Sequence, residues 1–182
     1  MTDSNHVSRQ PGEGRYSFPE RERRWRVASV PAAATSPRRV EDWYLRESTL
    51  RVRQIDEEFG PVFKLTQKVR REPSNPMSVR LTNMYLSRTE FDQLRSLPGD
   101  GIVKERRTWS DGQRTFAVDR FLGRHEGLYL VECEVDEVGD DDILLPWDRD
   151  AVEVSRDDRF SGGSLSRLSD TALAALLAQR GI

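Results

Sequence analysis

Cysteine occurs once in this sequence, at Cys133, so no internal disulfide can form. Histidine occurs only at His6 and His125, which leaves no zinc set at ligand spacing. No apolar run reaches the roughly 18 residues of a membrane span and no charged-then-apolar leader opens the chain, so a cytoplasmic protein is predicted. Apolar residues are themselves scarce: 36% of the 182 residues are hydrophobic against 33% charged, little for a single domain built around an oily centre. Neither sign of charge dominates, since 29 basic and 31 acidic residues leave a net charge of -2. That balance gives no overall field for steering onto nucleic acid or an anionic membrane. The charges must be read locally.

Met1 to Ser17 reads as an N-terminal tail without apolar period, and residues 18–182 as one domain. Ala28 to Arg39, with Pro31 and Pro37, reads as a loop. Period-two alternation then marks a series of strands. Arg51 and Arg53 share a face opposite Leu50 and Val52, and Lys64, Thr66 and Lys68 oppose Phe63, Leu65 and Val69. Lys104 falls with Arg106, Asp119 opposes Phe116 and Val118, and Glu132 and Glu134 oppose Val131, Cys133 and Val135. The first strand, with Glu20, Glu22 and Arg24 on one face and Arg21, Arg23 and Trp25 on the other, is charged on both sides and periodicity does not orient it. Asp111-Gly112 and the run Gly123 to Gly127 supply turns between neighbouring strands. Ser87-x-x-Glu90 opens a short helix by a capping box, and a second helix is predicted from about Ser166 to Arg180 on the stripe Leu168, Leu173, Leu176 and Leu177.

Strands with paired charges of both signs on one face and apolar residues on the other admit two arrangements. The charged faces can look outward around an apolar core, or inward into a water-filled lumen while the apolar faces pack under helices and loops. The helices' own apolar stripes need a surface to cover, which favours the second. The predicted fold is therefore predominantly β within the α+β class: a closed antiparallel barrel with a few peripheral helices, one of them C-terminal.

The segment Glu20-Arg21-Glu22-Arg23-Arg24-Trp25-Arg26-Val27 resembles the opening motif of the CYTH, or triphosphate tunnel metalloenzyme, family. Further motifs follow in the family's order: Arg51-Val52-Arg53, Leu65-Thr66-Gln67-Lys68, Lys104-Glu105-Arg106, Asp119-Arg120-Phe121 and Glu132-Cys133-Glu134. The similarity runs from Phe18 to about Ala178. It implies a metal-dependent hydrolase of a triphosphate, with Arg24, Arg51, Arg53, Lys68, Lys104 and Arg106 holding the phosphates. Glu20, Glu22, Glu132 and Glu134 would hold Mg²⁺ or Mn²⁺. Glu20, Glu22 and Asp119 are the implied catalytic carboxylates, acting on an in-line attack by water.

Inorganic tripolyphosphate is the favoured substrate, with thiamine or nucleoside triphosphates as alternatives. The partner is thus a triphosphate-bearing small molecule rather than nucleic acid or membrane, and the chain a monomer or homodimer. Two departures stand out. Arg24 replaces the family's Lys, which keeps the charge but makes it a planar fork. The family's middle strand carries a pair of glutamates, and Leu81 and Asn83 stand there instead. A non-catalytic triphosphate-binding protein, or a class IV-type adenylate cyclase, are the other readings.

Overall fold

A computed structural model describes residues 10–70, 77–135 and 143–179. Eight strands make the barrel: β1 (Phe18–Arg26), β2 (Arg38–Leu45), β3 (Leu50–Glu57), β4 (Gly60–Val69), β5 (Ser78–Leu86), β6 (Gly99–Ser110), β7 (Thr115–Phe121) and β8 (Tyr129–Glu134). They pair antiparallel in the order β5-β4-β3-β2-β6-β7-β8-β1. β1 then returns to β5, from Phe18 opposite Leu81 to Arg21 opposite Ser78, and closes the ring. Beyond that point the freed edge of β1 is taken by a two-residue strand, β9 (Val152–Glu153), beside Trp25 and Arg26.

Alternation sets what each strand buries, because successive side chains leave opposite faces of a pleated strand. The outward apolar positions are covered in two places. Val52 and Phe63 pack with Leu45 and Phe91 under α1 (Arg88–Arg95), whose start carries the expected capping box of Ser87 and Glu90. Trp25, Phe116, Val118, Val131 and Cys133 pack beneath Ile143, Leu145 and Trp147, with the Trp109 and Trp147 rings 4.4 Å apart. The greasy sides of the strands therefore face away from the barrel's middle, and Cys133 and the tryptophans serve as packing.

One end of the barrel breaks this pattern. Ile102, Phe121 and Leu130 lie on the inward faces, in register with Asp42, Lys104 and Asp119 respectively. They meet Leu128, Phe160, Leu165 and Leu176 in a third buried cluster. The helices α2 (Gly162–Arg167) and α3 (Asp170–Ala178) supply this plug. A single helix was expected from Ser166 to Arg180; the chain instead breaks at Leu168 and Ser169, because Ser169 accepts a hydrogen bond from Ala172 N and starts a new helix. Arg180 lies outside the described residues. The far end of α3 is capped by Arg26, which donates to the carbonyls of Leu176, Leu177 and Gln179.

His125 holds the plug from the barrel side. It is 1% exposed, and its Nε2 lies 3.0 Å from the Leu165 carbonyl in α2, so the neutral ring donates there. Burial pushes its pKa below the usual histidine range, against the opposing effect of that hydrogen bond. A folded-state value below the unfolded one means that the unfolded chain binds the extra proton. Stability is then complete above the unfolded value of about 6.5 and declines as pH falls below it. Acidifying from neutrality to about pH 5.5 should lower the thermal midpoint of the native chain more than that of His125→Gln, and equal shifts would deny His125 this role.

Two other segments differ from the sequence reading. β2 had no counterpart there, since Val40, Asp42 and Tyr44 alternate with Glu41, Trp43 and Leu45 and neither face is uniformly apolar or polar. Of the stretch read as a tail, residues 1–9 lie outside the described residues. Residues 10–17 lie against the barrel, where Gly12 N donates to Gln67 Oε1 and Arg80 donates to the Ser17 carbonyl. Among the described residues no helix is long and apolar enough to cross a membrane.

Candidate functional site

The middle of the barrel is a cavity of about 680 Å³ whose strand walls carry charges of both signs. Each wall is one of the alternating faces. β1 contributes Glu20, Glu22 and Arg24, β3 Arg51 and Arg53, β4 Lys64, Thr66 and Lys68, β6 Lys104 and Arg106, and β8 Glu132. β2 adds Asp42 and Tyr44, neither of which the sequence singled out, and β5 adds Leu81 and Asn83. β2 to β5 and β6 to β8 form two series of consecutive pairings, and the pairing of β2 with β6 and of β1 with both β8 and β5 brings their charged faces around one lumen.

Most of the charges are paired. On one side of the lumen, Glu132 accepts from Arg24 at 2.7 Å and from Arg106 at 2.8 Å. Asp119 takes both Nε and Nη2 of Arg106 at 2.6 Å and Lys104 Nζ at 2.5 Å. Lys68 Nζ sits 2.6 Å from Glu20 and 3.6 Å from Glu22. Across from these, Asp42 grips Arg53 with both oxygens, at 2.6 and 2.8 Å. Such fork-to-carboxylate pairs satisfy both ions where little water reaches, which is what makes charges tolerable in so enclosed a space.

The carboxyls respond differently to this setting. Burial alone would push Glu132 up, but the charges of Arg24, Arg106 and Lys104 hold it well below the usual carboxylate range. Asp119 and Asp42 likewise stay low against burial, Asp119 through Arg106 and Lys104 and Asp42 through Arg53 and Arg51. Glu22 goes the other way: burial and the neighbouring charges of Glu132 and Glu20 raise it, with Lys68 too far off to compensate. On the cationic side, burial and the proximity of Arg53 and Arg51 depress Lys64.

Three lining cations lack a carboxylate at hydrogen-bond distance among the described residues: Arg51, Lys64 and Arg167. Arg51 Nη2 donates to Thr66 Oγ1 at 3.0 Å, yet its Nε is buried without a hydrogen-bond partner and Asp42 stands off at 3.5 Å. Lys64 makes no ion pair among the described residues and lies over the exposed Tyr85 ring at 5.6 Å. Around the lumen Arg24, Arg51, Arg53, Lys64, Lys68, Arg70, Lys104, Arg106 and Arg167 outnumber Glu20, Glu22, Asp42 and Glu132, and even with Asp119 behind Lys104 and Arg106 and Asp158 on Arg70 positive charge is in surplus.

Two of the expected site residues stand apart from the rest. Asp119 is 1% exposed, does not line the cavity, and has both oxygens engaged behind Lys104 and Arg106, where it orients those cations. Glu134 shares a face with Glu132 and pairs in register with Glu22, but it is exposed and lies outside the lining. Among the described residues no three acids, histidines or cysteines already stand close enough to hold a metal ion. Asp42 could have been sought as an acid in register with Arg53, since a hairpin of β2 and β3 places it there.

No protein-family model and no curated protein matches the sequence. Solved structures do. A structure of the inorganic triphosphatase NE1496 is 20% identical, covering 82% of this chain and 95% of that one with a TM-score of 0.54. A second structure of NE1496, described as a hypothetical protein, is 22% identical over 81% of this chain and 97% of that one, again with a TM-score of 0.54. At such identities the likeness establishes the shared fold.

Proposed function

We propose that this chain, whose fold is that of the CYTH or triphosphate tunnel domain, is a metal-dependent hydrolase of triphosphates, with inorganic tripolyphosphate its first substrate. The observation that carries the reading is the excess of cations over carboxylates around the lumen, where Arg51 is held only loosely by Asp42 at 3.5 Å and Lys64 and Arg167 make no ion pair among the described residues. A surplus of cations in so enclosed a space calls for an anion, and a chain of phosphates offers several charges. The fold shared with a protein named as an inorganic triphosphatase agrees with this.

The donor set suits a divalent ion. Glu20, Glu22 and Glu132 are hard oxygen donors on adjoining strands, as Mg²⁺ or Mn²⁺ requires. Glu22 in particular is pushed up by burial and by its acidic neighbours, a repulsion that a cation would relieve. When bound, the ion would neutralise charge on the phosphoryl group and favour ionisation of a water. Glu20 and Glu132 are held by Lys68 and Arg24, and a triphosphate competing for those cations would free the carboxylates. Arg51, Arg53, Lys64 and Lys68 bind and orient the phosphates from one side. Lys104 and Arg106, fixed by Asp119, present fixed positive charge from the other.

Arg51→Ala should raise the Michaelis constant for tripolyphosphate about 10- to 100-fold, the effect of losing one hydrogen bond to a charged group, and the deficit should shrink as salt is raised. An unaltered Michaelis constant would remove Arg51 from the site. Leu81 and Asn83, where the resemblance places acids, favour a second reading in which the tunnel binds triphosphates without turning them over. Thermal stabilisation by tripolyphosphate, with no phosphate released in the presence of Mg²⁺ or Mn²⁺, would select it.

A further inference from the structure

We infer that Asn83 is a substrate-binding residue that presents N–H donors to the lumen, so that the wall formed by β3, β4 and β5 recognises bare phosphate oxygens. This deepens the triphosphate reading and rests on it. The argument is one of hydrogen-bond direction. Arg51 can only donate, and its Nη2 lies 3.0 Å from Thr66 Oγ1. Thr66 is fully buried, with an exposure of 0%, so its hydroxyl proton needs an acceptor inside the protein. Its remaining partner is Asn83, 2.8 Å away, and the atom facing it must therefore be the carbonyl Oδ1.

The consequence falls on the other half of the amide. With Oδ1 turned to Thr66, Nδ2 points away from it, and it makes no hydrogen bond to any described residue. Asn83 lines the cavity on the β5 wall, on the same side as Arg51, Lys64 and Thr66. The relay from Arg51 through Thr66 to Asn83 thus fixes an amide that an isolated asparagine could present either way round. Leu81, the next inward residue of β5, adds no polar group. What this wall offers a ligand is N–H donors from Arg51, Lys64 and Asn83, with the nearest acceptor oxygens turned into the relay. A hydroxyl-bearing or cationic group finds no acceptor there, and an anionic oxygen finds three donors.

The test measures tripolyphosphate binding by calorimetry in the presence of a chelator, so that metal ligation does not enter. Asn83→Asp has nearly the same shape but replaces the donors with a carboxylate, and the dissociation constant should rise at least tenfold. Thr66→Val removes the relay while leaving Asn83 in place, and a several-fold weakening is expected as the amide loses its fixed orientation. Asn83→Asp should also raise the thermal midpoint of the unliganded protein, because a negative charge enters beside Arg51 and Lys64. Unchanged affinity in Asn83→Asp, with native tripolyphosphate binding intact, would overturn the inference, as would weakening accompanied by loss of the fold. If the native chain itself binds no tripolyphosphate, the failure lies with the triphosphate reading instead.

Discussion

Replacing Glu132 by Gln should lower the turnover of tripolyphosphate by about 10²-fold or more, the scale of removing one preorganised electrostatic group from an active site. Glu132 ties β1 to β6 across β8: one oxygen takes Arg24 and the other takes Arg106. Its carboxyl is held well below the usual carboxylate range, against burial, by the charges of Arg24, Arg106 and Lys104. Gln offers a single acceptor and turns an amide N–H toward one guanidinium, which frees that arginine and removes an oxygen donor from the set proposed for the metal. The thermal midpoint should fall, because Arg24 and Arg106 lose a counter-charge, while circular dichroism at the assay temperature should keep the native β signature, which separates lost chemistry from lost structure. Glu134→Gln, on the exposed residue across from Glu22, should cost far less. Native turnover in Glu132→Gln would withdraw Glu132 from the chemistry.

The second large effect concerns stability. Asp42→Asn should destabilise the fold by about 3–5 kcal/mol, the usual result of removing one partner from a buried ion pair. Asp42 and Arg53 have side-chain exposures of 1% and 10%, and Arg51 also leans on the same carboxylate from 3.5 Å. The variant would leave two guanidiniums facing each other without a counter-charge. The double variant Asp42→Asn with Arg53→Met should recover much of that loss, because no buried charge is then orphaned, while substrate binding stays impaired. Denaturant titration measures both; a double variant no more stable than the single one would show that the pair is not the cause.

The same pair makes a prediction in acid. Burial would raise the Asp42 carboxyl, but Arg53 and Arg51 hold it below the ordinary range. The unfolded chain then takes up the proton first as pH falls. This contribution is present in full above the unfolded value of about 3.9 and fades as pH drops through the folded one. Native and Asp42→Asn proteins should therefore differ most near neutrality and converge in strong acid.

The barrel itself was readable because a pleated strand has a fixed period of two, so Arg51 and Arg53, or Glu132 and Glu134, must share a face whatever surrounds them. The capping box at Ser87 and Glu90 was equally local. β2 escaped because both of its faces mix apolar and polar residues, and Asp42 escaped with it. The C-terminal break escaped because the apolar stripe runs on through a serine whose choice of cap, over continued helix, depends on how α2 packs into the barrel mouth.

The order of residues along the chain determined which side chains could face a common lumen, through alternation that is a property of the backbone. Only the closed barrel decided which charges meet. Glu132 finds Arg24 and Arg106, Asp119 is withdrawn behind Lys104, Glu134 is left in the open, Arg51 is only loosely held by Asp42, and Lys64 makes no ion pair among the described residues. Those outcomes depend on registers between strands distant in sequence. A shift of one residue in any pairing would send the same side chains to the other face.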